Sequence, residues 1–154
     1  KDNNEIIETI YKKAEANNCK IIIPKDFGVA SSFESSTNIM KKNSLNKDEI
    51  ILDIGPETIK NIENIIDNSN TILWNGPAGY FENKNFSVGT NAIAKKISEN
   101  TINKSLISVI GGGDTVSAVN KIEKKLIFSH LSTAGGAFLE FLEGKDLPGL
   151  SVLK

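Results

Sequence analysis

The stretch that decides the fold is residues 105–123, SLISVIGGGDTVSAVNKIE. An apolar run of the kind found in buried strands leads into three consecutive glycines, and a helix-like pattern follows from Asp114. Glycine is costly to order, so a triple glycine in a folded segment indicates that something must approach the backbone closely. A strand, a glycine turn and a helix in this order are typical of a parallel α/β sheet.

The rest of the chain alternates in the same way. Helical spacing or capping signals predict helices over about 4–17, from 55–58 onward, and over about 87–99, 114–123 and 134–144, the last one closed by Gly144. Continuous apolar runs predict buried strands over 20–24, 50–54, 71–74 and 105–110 and within 124–130. Residues 31–48 are polar and aperiodic, which is typical of an exposed connection. The pattern predicts one α/β domain over 1–154, a Rossmann-like parallel sheet with helices on both faces in three α/β/α layers.

Size, charge and cysteine content exclude several classes of protein. A chain of 154 residues suits a single domain, and its net charge of −1 gives no basis for binding nucleic acid. No apolar run approaches the roughly 20 residues that cross a bilayer, and no signal-peptide pattern is present. The single cysteine, Cys19, permits no internal disulfide and suits a reducing cytosol; its position before an apolar run predicts a buried, inert thiol.

Four loops follow predicted strands and carry unusual residues: LDIGPE (52–57), WNGPAGYFE (74–82), IGGGDT (110–115) and STAGGA (132–137). In open parallel sheets, ligands bind at the carboxyl ends of the strands. We therefore expect these four loops to converge on one site.

The loop IGGGDT predicts a phosphate site. Gly112 and Gly113 allow backbone amides to approach a ligand, and the helix N-terminus behind them favours negative charge. Asp114 would repel a bare phosphate, but a bridging Mg²⁺ can take carboxylate and phosphate oxygens together. Thr115 can donate its hydroxyl to a phosphate oxygen. The alternative is that Asp114 only caps the following helix.

Two further loops each leave two interpretations open. STAGGA predicts a second anion site, suited to a phosphoryl group in transit, or else close packing of a helix on the sheet. NGPAGYFE (75–82) can frame a nucleoside, with Glu82 near a ribose hydroxyl; alternatively Tyr80 and Phe81 belong to the core and Glu82 is a solvated charge.

Two other features carry less weight. Asp26-Phe27-Gly28 matches the metal motif of protein kinases, but the accompanying kinase motifs are absent from the sequence, so we interpret it as a coincidence. His130 is the single histidine, and we expect a structural, hydrogen-bonded side chain there.

Taken together, four motifs carry a family resemblance. LDIGPET (52–58), LWNGPAGYFE (73–82), VIGGGDT (109–115) and SHLSTAGGAFLEFLEGKDLPGL (129–150) resemble, in order and spacing, the successive motifs of phosphoglycerate kinase. The resemblance is to the later part of that enzyme's C-terminal, nucleotide-binding domain. It implies the glycolytic transfer of a phosphoryl group between 1,3-bisphosphoglycerate and MgADP, giving 3-phosphoglycerate and MgATP. It also implies a cytoplasmic, monomeric enzyme.

The resemblance also implies roles for particular residues. Asp114 would hold the magnesium, and Gly112, Gly113 and Thr115 would contact the nucleotide phosphates. The remaining nucleotide contacts would come from Asn75, Pro77, Gly79, Tyr80, Glu82 at the ribose, and Ile51 and Leu52 at the adenine. Thr133, Gly135 and Gly136 would present amides to the transferring phosphoryl group. Ala134 departs from a family glycine, and Tyr80 from a smaller aliphatic residue.

The largest departure from the family is what this sequence lacks. We expect the N-terminal domain, which binds phosphoglycerate and supplies a catalytic arginine, to be missing from this chain. Its 18 basic residues are all lysine, which agrees with that expectation. The chain then supplies the metal side of the site and needs the other domain for turnover. The alternative hypothesis is a non-catalytic nucleotide-binding or interaction module. A NAD-type Rossmann domain fits poorly, because the glycines are consecutive instead of spaced as GxGxxG.

Overall fold

A computed structural model describes residues 3–36, 38–41, 44–132 and 134–153. Its helices are α1 (Asn4–Ala16), α2 (Pro56–Asp67), α3 (Val88–Asn103), α4 (Gly113–Asn120), α5 (Gly135–Leu142) and α6 (Pro148–Ser151). Its strands are β1 (Phe27–Ala30), β2 (Ile39–Lys41), β3 (Ile50–Ile54), β4 (Thr71–Asn75), β5 (Ile107–Gly111) and β6 (His130–Leu131). A 3-10 turn, Lys84–Phe86, precedes α3.

The predicted parallel sheet is formed by the second half of the chain. Its strands lie in the order β4-β5-β6, and both pairs are parallel, with Trp74 opposite Ile110 and Ile110 opposite Leu131. The connection from β4 to β5 runs through α3, and that from β5 to β6 runs through α4. These are successive β-α-β units. The predicted Rossmann-like α/β fold is confirmed.

The two faces of this sheet differ in burial. Trp74 of β4 and Ile110 of β5 point to one face, where they join Ile93 and Ile97 of α3 in the main hydrophobic core. On the opposite face, Ile107 at the start of β5 is 55% exposed. Helix α3 therefore buries one face of the sheet. The opposite face carries apolar side chains in contact with solvent, and at its end a Cβ on Gly111 would lie 3.1 Å from the ring of Phe138 in α5.

Helix α1 was predicted from an apolar stripe, and the helix is confirmed. The stripe itself is exposed: Ile6, Ile7 and Ile10 all reach solvent, and α1 has no buried residue. Its amphipathic pattern therefore stabilises no packing within the described part of the chain. No helix in that part is both long and apolar enough to cross a membrane.

A second, antiparallel sheet was not predicted. It has the order β2-β1-β3 and is built largely from the first half of the chain. The interpretation of 31–48 as exposed connection is wrong at 39–41, which form β2. That strand is only three residues long, and a run this short gives no readable period in a sequence.

The strand predicted over 20–24 is also wrong. Those residues join no sheet in the described structure, and Ile21 and Ile23 are exposed. Isoleucines favour a strand, but a strand also needs a neighbouring edge to pair with, and β1 begins only at Phe27. Cys19, expected to be buried beside this run, is exposed for the same reason.

The predicted end of α5 is confirmed. Gly144 has φ +78°, the left-handed conformation that glycine adopts without strain. Its amide donates to the Phe141 carbonyl at 3.0 Å, and the Lys145 amide donates to the Glu140 carbonyl at 3.0 Å. This is the six-to-one hydrogen-bond pattern that ends many helices.

An ionic cluster at the end of α2 leads to a prediction about acid stability. Lys104 and Lys96 bind the two oxygens of Asp67 at 2.6 and 2.7 Å, and Asn100 adds a hydrogen bond. The hydrogen bond from Lys104, followed by that from Lys96, holds the pKa of Asp67 well below its usual range.

The pKa of Asp67 is lower in the folded state than in the unfolded state. Asp67 therefore stabilises the fold at pH values above its unfolded-state pKa, and this stabilisation is lost as the pH falls towards its folded-state pKa. Asp67→Asn should therefore lower the urea unfolding midpoint at pH 7. The difference from wild type should shrink steadily below about pH 4. Urea titrations at several pH values measure this difference, and a difference that does not change with pH would contradict the role of the ion pairs.

Candidate functional site

The three parallel strands end at the same edge of their sheet. Asn75, the last residue of β4, lies opposite Gly111, the last of β5. Leu131 ends β6 opposite Ile110, whose carbonyl accepts the Ser132 amide at 2.7 Å. The three loops that follow these strands therefore start side by side, as the sequence predicts.

Strand β3, which belongs to the antiparallel sheet, reaches these loops through a bulge. The pairing register of β1 against β3 shifts between Gly28 and Val29, which leaves Leu52 as the extra residue of β3. The Leu52 carbonyl instead accepts the Tyr80 amide at 2.7 Å. The bulge thus connects the antiparallel sheet to the loop that follows β4.

Most of the amides in the loop 75–82 are bound within the protein. The Gly76 amide donates to Oγ1 of Thr115 at 2.7 Å. The Ala78 and Gly79 amides donate to Oγ1 of Thr90 at 3.0 and 3.2 Å. The Tyr80 amide is also bound, to the Leu52 carbonyl. A ligand can therefore bind the side chains and carbonyls of this loop more readily than its amides.

The glycine loop requires glycine at one position in particular. Gly112 has φ +87°, and a Cβ there would overlap the side-chain oxygen of Asn75. Asn75 and the glycine loop are therefore in direct contact across the ends of β4 and β5. Gly113 begins α4, and a Cβ on it would meet no atom within 4 Å, so the space in front of this helix start is open.

Asp114 lies at the mouth of this opening. It is the second residue of α4 and is exposed, and within the described residues its carboxylate has no hydrogen bond or ion pair. The N-cap position belongs to Gly112, and no side chain in the described part of the chain caps α4. The alternative in which Asp114 serves only as the cap therefore does not hold.

Thr115 is fully buried, and its hydroxyl accepts the Gly76 amide. The side chain that was predicted to contact phosphate thus holds two loops together in this structure. Its contact with a nucleotide stays a prediction.

The residues around Asp114 fit a metal that arrives with its ligand. No group of three or more His, Cys, Asp or Glu side chains that could hold an ion occurs among the described residues. One exposed carboxylate is nevertheless what a magnesium ion bound to phosphates needs from a protein, because Mg²⁺ keeps water and phosphate oxygens as its other ligands. The site therefore fits a magnesium–phosphate complex better than a free ion.

An apolar cleft of about 460 Å³ lies beside the bulge. Its lining includes the predicted nucleotide residues Ile51, Leu52, Pro77, Gly79 and Tyr80. The Phe33 ring meets the Tyr80 ring edge-on, with 5.0 Å between the centroids, and thereby fixes one wall of the cleft. The structure thus brings five predicted residues together on one apolar surface.

Glu82 lies in a neighbouring cleft of about 400 Å³. Its walls include Phe81, Lys84 and Lys121, and the Lys121 ammonium sits 4.7 Å from the centre of the Phe81 ring. Phe81 itself is buried, as the core interpretation of that residue expects. The Glu82 carboxylate is exposed and separate from the apolar cleft.

The start of α5 is the fourth part of the site. Gly135 and Gly136 begin the helix, and a Cβ on either would meet no atom within 4 Å. The interpretation of these glycines as close helix–sheet packing is therefore wrong. Thr133, predicted beside them, lies outside the described residues.

The structure also shows the surroundings of the kinase-like triplet and of the single histidine. Asp26 is buried, and its carboxylate accepts hydrogen bonds from the Glu57 and Thr58 amides at the start of α2, so the kinase-like triplet is a coincidence as interpreted. His130 begins β6 with an exposed side chain, and among the described residues that side chain makes no hydrogen bond, contrary to expectation.

Two buried residues next to the site were not predicted from the sequence. Asp53 accepts the Gly89 amide at 3.1 Å, and burial raises the pKa of its carboxyl. Thr90 accepts two loop amides, as described above. Asp53 interrupts the apolar run IILDI (50–54), and that placement was an available signal, whereas Thr90 follows Gly89 in a mixed segment that gives none.

Comparison with known proteins agrees with this geometry. A family model described as phosphoglycerate kinase matches residues 1–145. Among curated relatives, "Phosphoglycerate kinase" of Bradyrhizobium diazoefficiens is 46% identical over 147 residues, covering 94% of this chain and 37% of the relative. The protein of that name from Francisella tularensis subsp. novicida is 49% identical, covering 94% of this chain and 36% of the relative.

Solved structures give the same result. Phosphoglycerate kinase from Coxiella burnetii matches with a TM-score of 0.86 and 38% identity, over 97% of this chain and 38% of that protein. The enzyme from Pyrococcus horikoshii matches with a TM-score of 0.72 and 29% identity, over 96% of this chain and 38% of that protein. The chain spans less than two fifths of the length of these relatives. This chain belongs to the phosphoglycerate kinase family.

Proposed function

We propose that this chain forms the nucleotide- and magnesium-binding part of a phosphoglycerate kinase. The reaction is reversible phosphoryl transfer between 1,3-bisphosphoglycerate and MgADP, giving 3-phosphoglycerate and MgATP in glycolysis. One observation carries the proposal: Asp114, which is exposed and has no partner among the described residues, stands in the first turn of α4, behind a glycine loop in contact with Asn75.

The phosphate groups bind at the start of α4. The first amides of a helix have no partner within the helix and carry partial positive charge, so those of Gly113, Asp114 and Thr115 suit phosphate oxygens. Asp114 would hold a magnesium ion that arrives with the nucleotide, and this ion would supply positive charge to the reacting groups. Because the Thr115 hydroxyl is buried and accepts the Gly76 amide, we assign the phosphate contact of Thr115 to its backbone amide.

The nucleoside binds between the two clefts. The base lies on the apolar surface of Ile51, Leu52, Pro77, Gly79 and Tyr80, while Glu82 binds ribose hydroxyls from the neighbouring cleft. The side chain of Asn75 lies against Gly112 of the glycine loop and would contact the nucleotide there.

The start of α5 receives the phosphoryl group in transit. Gly135 and Gly136 leave open space in front of the first turn, so their amides are accessible to an anion. We assign Thr133, which precedes them in the sequence, to the same phosphoryl group. The helix N-terminus favours the negative charge that is spread over the phosphoryl oxygens.

The remainder of the enzyme binds the other substrate and supplies the positively charged side chains that this chain lacks. The chain contains no arginine, and a phosphoryl transfer site needs positive charge opposite the metal as well as beside it. A second part of the polypeptide, corresponding to the family's N-terminal domain, binds the phosphoglycerate and provides that charge. The complete enzyme acts as a cytoplasmic monomer.

Calorimetry and turnover together test this function. A complete phosphoglycerate kinase that carries this segment should bind MgADP and convert 3-phosphoglycerate, and chelation of magnesium should abolish tight nucleotide binding. This chain alone should show no turnover, and addition of a separately produced N-terminal part should restore it. Nucleotide binding without turnover in the complete polypeptide would favour the non-catalytic module, and absence of both would contradict the proposal.

A further inference from the structure

The first turn of α3 lies directly under the loop 75–82. Thr90 is the third residue of this helix and is fully buried. Its Oγ1 accepts the Ala78 amide at 3.0 Å and the Gly79 amide at 3.2 Å. A single buried hydroxyl oxygen therefore accepts two consecutive amides of the loop.

The helix that carries Thr90 is itself fixed to β3. One oxygen of the buried Asp53 carboxylate accepts the Gly89 amide at 3.1 Å, and the other accepts the Ile54 amide at 2.9 Å. The first turn of α3 is thus tied to the strand that lines the apolar cleft. A shift of this turn would move the loop and the strand relative to each other.

Among the described residues, the amides of this loop are attached to other elements at three points, and Thr90 is the middle one. Gly76 is bound to Thr115 at one end, and Tyr80 is bound to the Leu52 carbonyl at the other. Between them, the hydrogen bonds to Thr90 set the position of the peptide units that precede Tyr80. Loss of that acceptor leaves two partly buried amides unpaired, which is costly enough to displace the loop.

We propose that Thr90 is a positioning residue that sets how the loop 75–82 meets the nucleotide, without touching the nucleotide itself. The proposal rests on the nucleotide-binding function proposed above for this loop. Thr90 is well suited to this task for two reasons. Its hydroxyl is buried, and its helix α3 packs against strands of both sheets and is hydrogen-bonded to Asp53 of β3.

The matched variants are T90V, which keeps the shape of the side chain but removes the acceptor, and T90S, which keeps the acceptor. In a complete phosphoglycerate kinase that carries this segment, T90V should raise KM for MgATP about tenfold, the loss expected for one hydrogen bond acceptor. KM for 3-phosphoglycerate should stay within about twofold, because its binding part is elsewhere. T90S should restore KM for MgATP to near the wild-type value.

Amide hydrogen exchange provides a readout that does not depend on turnover. T90V should accelerate exchange at Ala78 and Gly79 while leaving the amides of β4 and β5 unchanged, and T90S should not. If T90V does not fold, T90C replaces it, because a thiol is a weak acceptor and should give an intermediate KM and intermediate exchange.

An active wild-type enzyme with unchanged KM and exchange in T90V would overturn the role of Thr90. The same conclusion follows if T90S loses as much nucleotide affinity as T90V. A wild-type enzyme without nucleotide binding or turnover would instead overturn the proposed function, so the two failures are distinguishable.

Discussion

Replacing Asp114 with alanine in a complete phosphoglycerate kinase that carries this segment should lower kcat/KM by about 100-fold or more, the usual cost of removing one electrostatic stabiliser of a transition state. The carboxylate is exposed at the first turn of α4 and has no partner among the described residues, so little structure depends on it. The thermal midpoint should therefore change little while activity falls.

Magnesium dependence separates this role from a simple surface charge. In D114A, the affinity for ADP should become nearly independent of magnesium, because the variant lacks the carboxylate that we propose shares the ion with the phosphates. Calorimetric titrations of ADP with and without magnesium measure this directly. The matched control is Glu123→Gln, which removes an exposed carboxylate just beyond the other end of α4 and should preserve both turnover and magnesium dependence.

Near-normal turnover in D114A would contradict the assignment of Asp114 to the metal. So would a drop in activity that is matched by an equal drop in thermal stability, since that would indicate a structural role at the helix start. The structure argues against such a role because the N-cap position is occupied by Gly112.

The parallel half of the fold could be predicted from the sequence because its signals are local. β4 and β5 are apolar runs, and Gly111, Gly112 and Gly113 mark a strand-to-helix turn directly. The strand predicted within 124–130 is wrong in its bounds, because only His130 and Leu131 pair with β5. The convergence of the loops followed from the parallel arrangement alone, since parallel strands end at the same edge. Asn75 and Gly112 meet for that reason.

The antiparallel half could not be predicted because its determinants lie far apart in the sequence. β2 has three residues, and the extra residue Leu52 in β3 is defined only by its pairing with β1. The role of Thr90 becomes visible only when the loop amides that it accepts are known, and that of Asp53 only when its hydrogen bond from the Gly89 amide of α3 is known. Cys19 was expected to be buried on the basis of a strand that finds no neighbour among the described residues.

The buried carboxylate of Asp26 should have the largest effect on stability. It accepts the Glu57 amide at 2.9 Å, the Thr58 amide at 2.8 Å and the Thr58 hydroxyl at 2.6 Å. These contacts satisfy the first amides of α2 from a residue about 30 positions earlier in the chain, and the N-terminus of that helix favours the negative charge. Asp26 therefore connects α2 to the start of β1.

Asp26→Ala should lower the free energy of unfolding by about 3 kcal/mol, because a charged acceptor is lost and buried donors are left without a partner. Urea unfolding measures this change, with Trp74 as the probe because it is the one tryptophan of the chain and is buried in the core beside α2. The control is Asp48→Ala at an exposed turn, which should stay within about 0.5 kcal/mol of wild type.

The same variant also tests the resemblance of Asp26-Phe27-Gly28 to a kinase metal motif. If Asp26 acts only on α2, folded D26A enzyme should retain its magnesium dependence under conditions that keep it native, in contrast to D114A. A D26A protein with wild-type stability and weakened magnesium binding would reverse the two roles. That outcome is difficult to reconcile with a carboxylate that is 3% exposed and already accepts three hydrogen bonds from α2.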